Sequence, residues 1–144
     1  MISLAIAPIK QFSLLDLELE REGPSYTIDT IHQLKRMRPQ EQLHLILGED
    51  QLAGLDRWKN IEELVQLAPP LIGARLGDFF IDISGLSANS LKLLHLGVSK
   101  IPLMDISSTE IRERLQQGKY CGHLVPSKVL DYIYQHQLYS SVFK

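Results

Sequence analysis

The chain has 144 residues, of which 44% are hydrophobic and 22% charged, with a formal net charge of −2. This length and apolar content suit one domain with an ordinary core, needing neither disulfides nor metal. The balanced charge excludes the broad basic footprint of a nucleic-acid or acidic-membrane binder. The only cysteine, Cys121, excludes an internal disulfide, a zinc cluster or a paired redox motif, and fits a free structural thiol in a reducing cytoplasm.

The opening Met1–Lys10 carries Ile2, Leu4, Ala5 and Ile6 but is interrupted by Pro8 and lacks the long apolar core of a signal peptide. No run reaches the ~18 apolar residues of a membrane helix, and no repeat or low-complexity linker is present. Phe12–Leu19 alternates as a strand does and is broken by Arg21-Glu22-Gly23-Pro24. A helix capped by Thr27 follows, with Ile28, Ile31 and Leu34 on one face, basic residues near its end and Pro39 as its stop.

Leu43–Leu47, ending in Gly48, reads as a buried parallel strand, although periodicity alone does not separate it from a core helix. Gln51–Leu55 and Ile61–Leu67 read as short helices around Arg57-Trp58-Lys59, the second stopped by Pro69-Pro70. Strands are expected at Leu71–Ala74, Phe79–Ile83 and Ile101–Met104, with a weakly marked helix at Ser90–Leu96. A helix starting at Ser107 and closed by Gly118, then a last one over Ser127–Gln137 with Val129, Leu130, Ile133 and Leu138 turned inward, complete the order. Such alternation implies an α/β fold, a parallel sheet with helices on both faces.

In such sheets ligands bind beyond the carboxyl ends of strands. Three segments fall there: Ser25-Tyr26-Thr27, Gly48-Glu49-Asp50 and Ser107-Ser108-Thr109. The last opens a helix with three hydroxyls and Arg112 about one turn on, a combination that favours anions. Each residue also has a plainer reading. Asp50 can cap the helix that follows it, Tyr26 can pack over a helix start, Trp58 can belong to the core, and Lys59 and Arg114 can be solvated. The five histidines, His32, His44, His95, His123 and His136, have no metal-site spacing.

Pro24–Thr30, Gly48-Glu49-Asp50, Trp58-Lys59, Ile106–Arg112 and Leu124-Val125-Pro126 resemble, in order and spacing over nearly the whole chain, the bacterial nicotinate-nucleotide adenylyltransferase family. The resemblance implies a Rossmann-like nucleotidyltransferase domain that transfers AMP from ATP to nicotinate mononucleotide, with Mg²⁺ help, in cytoplasmic NAD biosynthesis. It implies that Ser25, Tyr26, Thr27, Asp50, Trp58 and Lys59 bind substrate. Tyr26 and its neighbours would surround the nicotinate end, Trp58 would stack on the pyridinium ring and Asp50 would hold ribose hydroxyls. Ser107, Ser108, Thr109 and Arg112 would bind the ATP phosphates, with Ser108 and Arg112 catalytic.

The family's first strand and its H-x-G-H loop have no counterpart in this sequence. The resemblance is thus to a single domain over 1–144 without its amino-terminal strand, phosphate loop and following helix. Such a chain is expected to be weak or inactive by itself and, with apolar surface uncovered, to form homo-oligomers. The other reading is a non-catalytic pyridine-nucleotide-binding module, or a remnant.

Overall fold

The computed structural model describes residues 1–74, 83, 85–102 and 104–139. Its elements are α1 (Ile2–Ile6), α2 (Thr27–Met37), β1 (Leu45–Gly48), a 3₁₀ helix (Glu49–Arg57), α3 (Ile61–Leu67), β2 (Pro70–Ala74), α4 (Ala88–Leu96), β3 (Val98–Lys100), α5 (Ser108–Gln116) and α6 (Ser127–Gln135). They fall into two compact units, one of Asp16–Leu103 and one of Met1–Leu15 with Met104–Lys144.

The Asp16–Leu103 unit holds a parallel sheet in the order β1-β2-β3, so the α/β class expected from alternation is present. Leu45 pairs with Pro70 and Gly48 with Gly73, while Ile72 pairs with Val98 and Ala74 with Lys100. Because side chains alternate along a strand, Leu47, Ile72 and Ala74 fall on one face and are buried, together with Leu55, Val65, Ile83 and Leu94. Ile46, Leu71 and Ile101 are exposed, Ile46 at 80%. A second cluster of Ile28, Ile31, Leu64 and Ala68 packs α2 against α3.

Gly97 is where the chain needs glycine, since a β-carbon there would collide with the Pro70 carbonyl. The Gly97 carbonyl accepts from the Ile72 N–H at 2.8 Å, which brings the following residues alongside β2. This corrects the strand expected at Ile101–Met104. Pairing starts at Val98 and runs to Lys100, and the Ile101 N–H also bonds to the Ala74 carbonyl at 3.0 Å. The strand expected at Phe79–Ile83 lies, except for Ile83, outside the described residues.

Phe12–Leu19 is not a strand either. Residues 12–16 are irregular and 17–19 form a turn, with the Leu19 N–H bonded to the Asp16 carbonyl at 2.8 Å and Leu19 88% exposed. Alternation without a partner strand leaves a ladder's backbone groups unpaired, and the chain uses turns instead. Side chains then tie the following segment to α2: Thr30 donates to Glu18 at 2.7 Å, and Arg21 donates to Thr30 and Gln33 at 3.2 Å.

The weakly marked α4 owes its start to α3. Glu62 accepts from the Ser87 hydroxyl at 2.6 Å, the Ser90 hydroxyl at 2.8 Å and the Ser87 N–H at 3.1 Å, and Ser87 caps the Ser90 N–H. Ser90 is fully buried and also takes the Gln66 amide at 2.9 Å. The Ser87 side-chain bond, then the Ser87 N–H and the Ser90 hydroxyl, hold the Glu62 carboxyl below its ordinary value. A lowered carboxylate stabilises the fold above its unfolded value, and that contribution disappears as pH falls through the folded one. Glu62→Gln is therefore expected to lower Tm at neutral pH, with the gap to wild type closing below the ordinary carboxylate range. A gap independent of pH in thermal melts would refute the charged role.

In the other unit, Val129, Leu130 and Ile133 of α6 pack with Leu115 and Cys121, and with Leu4 and Ala5 of α1, a helix the sequence did not announce. Cys121 is buried, its thiol directed at the Lys119 carbonyl. The last helix ends at Gln135 rather than Gln137, where the backbone turns left-handed, φ being 51° at Gln137. Leu138 still packs on this core.

Candidate functional site

Five of the residues expected to bind substrate, Ser25, Tyr26, Thr27, Trp58 and Lys59, line one cleft of about 250 Å³ together with Arg57. One wall is the start of α2. Tyr26, not Thr27, is the N-cap residue, with extended backbone (φ −95°, ψ 137°) and no side-chain cap bond. The first bonds of the helix run from Asp29 and Thr30 to the Tyr26 carbonyl, which leaves the Thr27 and Ile28 N–H groups without intrahelical partners at the positive end of the dipole. Ser25 donates to the Glu18 carbonyl at 3.1 Å, fixing the approach to this wall.

The opposite wall is the exit of the 3₁₀ helix. Trp58 donates its N–H to the Leu55 carbonyl at 3.1 Å, then leaves the helix with extended backbone (φ −72°, ψ 139°). Its ring is partly buried against both hydrophobic clusters of this unit, so the core reading and the cleft reading hold together. Asn60, at φ 50°, turns the chain into α3. Lys59 crosses back to α2. Its ammonium lies 4.5 Å from the centre of the Tyr26 ring and 3.0 and 3.3 Å from the two Asp29 oxygens. Arg57 and Asp29 were not singled out in the sequence; an acidic residue in the first turn after Tyr26 was the available signal for Asp29.

Asp50 does not line this cleft. Its carboxylate folds over Gly48 at the carboxyl end of β1, where a β-carbon would collide with it, and accepts the Gln51 amide at 2.8 Å. A second hollow, about 390 Å³, runs over the sheet between Ile46, Gly48, Leu71, Gly73, Ser99 and Ile101 and is predominantly apolar.

In the other unit, Ser107 caps α5, its hydroxyl accepting from the Glu110 N–H at 3.1 Å. Ser108 is the first helical residue, and Arg112 reaches back one turn to donate to the Thr109 hydroxyl at 3.3 Å. All four side chains are exposed, at a helix end that favours anions. Arg114 differs from the solvated reading: it donates to the Tyr120 carbonyl at 3.1 Å and lies 3.9 Å from Glu110.

No group of three His, Cys, Asp or Glu that could hold a metal ion occurs among the described residues, and none of their helices is long and apolar enough to cross a membrane. No protein-family model matches the chain. A "Probable nicotinate-nucleotide adenylyltransferase" of Dehalococcoides mccartyi (strain CBDB1) is 38% identical, with 96% of this chain and 69% of that protein covered. The protein of the same name from Herpetosiphon aurantiacus is 45% identical, with 96% and 70% covered. The Plasmodium falciparum nicotinic acid mononucleotide adenylyltransferase complexed with NaAD has the same fold, with a TM-score of 0.55 at 24% identity, over 82% of this chain and 58% of that one. The same enzyme complexed with APC gives 0.56, over 82% and 60%.

Proposed function

We infer that this chain, which belongs to the nicotinate-nucleotide adenylyltransferase family, serves NAD biosynthesis in the cytoplasm by joining the adenylyl group of ATP to nicotinate mononucleotide. A phosphate oxygen of the mononucleotide attacks the α-phosphorus of ATP, the bond from that phosphorus to the bridging oxygen breaks, and pyrophosphate leaves as deamido-NAD forms. The observation that carries this reading is the single cleft in which Tyr26 and Trp58 are joined by a helix N-terminus and two cations.

A pyridinium ring against the Trp58 indole gains stacking and cation–π energy. Its carboxylate, directed at the Thr27 and Ile28 N–H groups, gains from the dipole of α2. Asp50, at the carboxyl end of β1, takes ribose hydroxyls. Ser107, Ser108 and Thr109 receive the ATP phosphates, and Arg112, released from Thr109, offsets charge developing on the pyrophosphate with Ser108 beside it. The family resemblance implies Mg²⁺, which would be held through the nucleotide phosphates and would help to neutralise their charge.

Calorimetric titration with nicotinate mononucleotide is expected to show binding. No heat, and no change in Trp58 fluorescence up to about 1 mM, the weak end of ordinary substrate affinities, would overturn the reading. Turnover is a separate matter. None of the five histidines stands in an H-x-G-H loop, so the 144-residue chain is expected to release pyrophosphate slowly or not at all when given ATP and nicotinate mononucleotide. Rates of about 1 s⁻¹ or faster would refute that expectation. Binding without turnover favours the second reading, a non-catalytic pyridine-nucleotide module, which the position of the whole cleft lining within one unit also supports.

A further inference from the structure

Resting on the reading of the Tyr26–Trp58 cleft as a pyridine-nucleotide site, we propose that Asp29 is a positioning residue: it holds the Lys59 ammonium where it meets a negatively charged ring substituent, and so sets the preference for an acidic over a neutral pyridine nucleotide.

A lysine carries its charge on a flexible four-carbon stem, and left alone it would spread over many rotamers. Here two groups of the first turn of α2 hold it. The Asp29 oxygens lie 3.0 and 3.3 Å from Nζ, and the Tyr26 ring lies 4.5 Å from it. Both anchors belong to the helix whose N-terminus forms one wall of the cleft, so the charge is fixed relative to that wall. Arg57, the other cation lining the cleft, packs its guanidinium against Gly54 within its own 3₁₀ helix.

The Asp29–Lys59 pair is partly exposed, 36% and 43% at the two side chains, so it is held weakly enough for Lys59 to share a donor with an incoming carboxylate. An ammonium gains a charge-assisted hydrogen bond from a carboxylate. From a neutral amide at the same place it gains less, since that acceptor carries no charge and the bond largely replaces one to water.

The experiment measures dissociation constants for nicotinate mononucleotide and nicotinamide mononucleotide, by Trp58 fluorescence, in the full chain and in three variants. The wild type is expected to prefer the acid. Lys59→Met is expected to weaken acid binding about tenfold, the scale of one charged hydrogen bond, and to leave the amide nearly unchanged. Asp29→Asn is expected to weaken acid binding by about threefold, a fraction of that bond, again sparing the amide, and Asp29→Glu to restore most of it.

The sign in Asp29→Asn separates positioning from simple field effects, because removing a negative charge near the cleft would by field alone tighten the acid. Tighter acid binding in Asp29→Asn, or an acid-to-amide ratio unmoved by either substitution, overturns the proposal while the pyridine site stands. If the wild type binds neither nucleotide, the reading of the cleft falls and this proposal falls with it.

Discussion

Trp58→Ala is expected to weaken nicotinate mononucleotide binding about tenfold to a hundredfold, the loss that removal of a stacking aromatic produces. The expectation follows from where the ring stands: one side packs on the two hydrophobic clusters of its unit, which holds it rigid, and it lines the cleft opposite Tyr26. A ring already immobilised loses little entropy when a ligand stacks on it. Because stacking is indifferent to the charge of the ring substituent, nicotinamide mononucleotide should lose affinity in parallel, in contrast with the Lys59 and Asp29 variants. Trp58→Phe, which keeps an aromatic face and most of the packing, should recover the larger part. Calorimetry on the three proteins, with thermal melts to confirm folding, decides it. Unchanged affinity in a folded Trp58→Ala would remove the stacking role.

Ile72→Ala is expected to cost about 2–5 kcal/mol of stability, whereas Ile46→Ala on the adjacent strand should change it by no more than about 0.5 kcal/mol. Ile72 sits in the central strand at 1% exposure, in a cluster with Leu47, Leu55, Val65, Ile83 and Leu94, so truncation leaves a cavity that paired strands on both sides cannot collapse around. Ile46 is 80% exposed and has little packing to lose. Urea unfolding followed by Trp58 fluorescence reads the unit that contains both residues. Equal losses would mean that Ile46 is buried in solution, as by a second copy of the chain, and would support the homo-oligomer that the sequence suggested.

Local signals were legible where a residue's own chemistry determined its structure. α3 occupies Ile61–Leu67 as expected, bounded by the left-handed turn at Asn60 and the prolines that follow. α2 and α6 follow their apolar periodicity, and Ser107 caps α5 by its own hydroxyl. The residues of the cleft were legible through the family resemblance: Ser25-Tyr26-Thr27 and Trp58-Lys59 each stand at a helix boundary, and they line one cleft. Its floor of cross-links was not. Asp29 meets Lys59 across 30 positions, a juxtaposition with no local trace.

By itself, then, the sequence determined the α/β order and the helix spans with clear periodicity, because each depends on spacing within a few turns of chain, while the resemblance of five segments in order pointed to the family and to five residues that line the Tyr26–Trp58 cleft. Tertiary structure alone decided whether an alternating segment became a strand, where α4 began, where β3 entered the sheet, and which cation was held at the cleft. A ladder needs a partner, the α4 cap needs Glu62 from α3, the register of β3 needs Gly97 against Pro70, and the lysine needs Asp29. In each case the stabilising contact comes from residues distant in the chain, and no local pattern encodes the energy of a neighbour that only folding supplies.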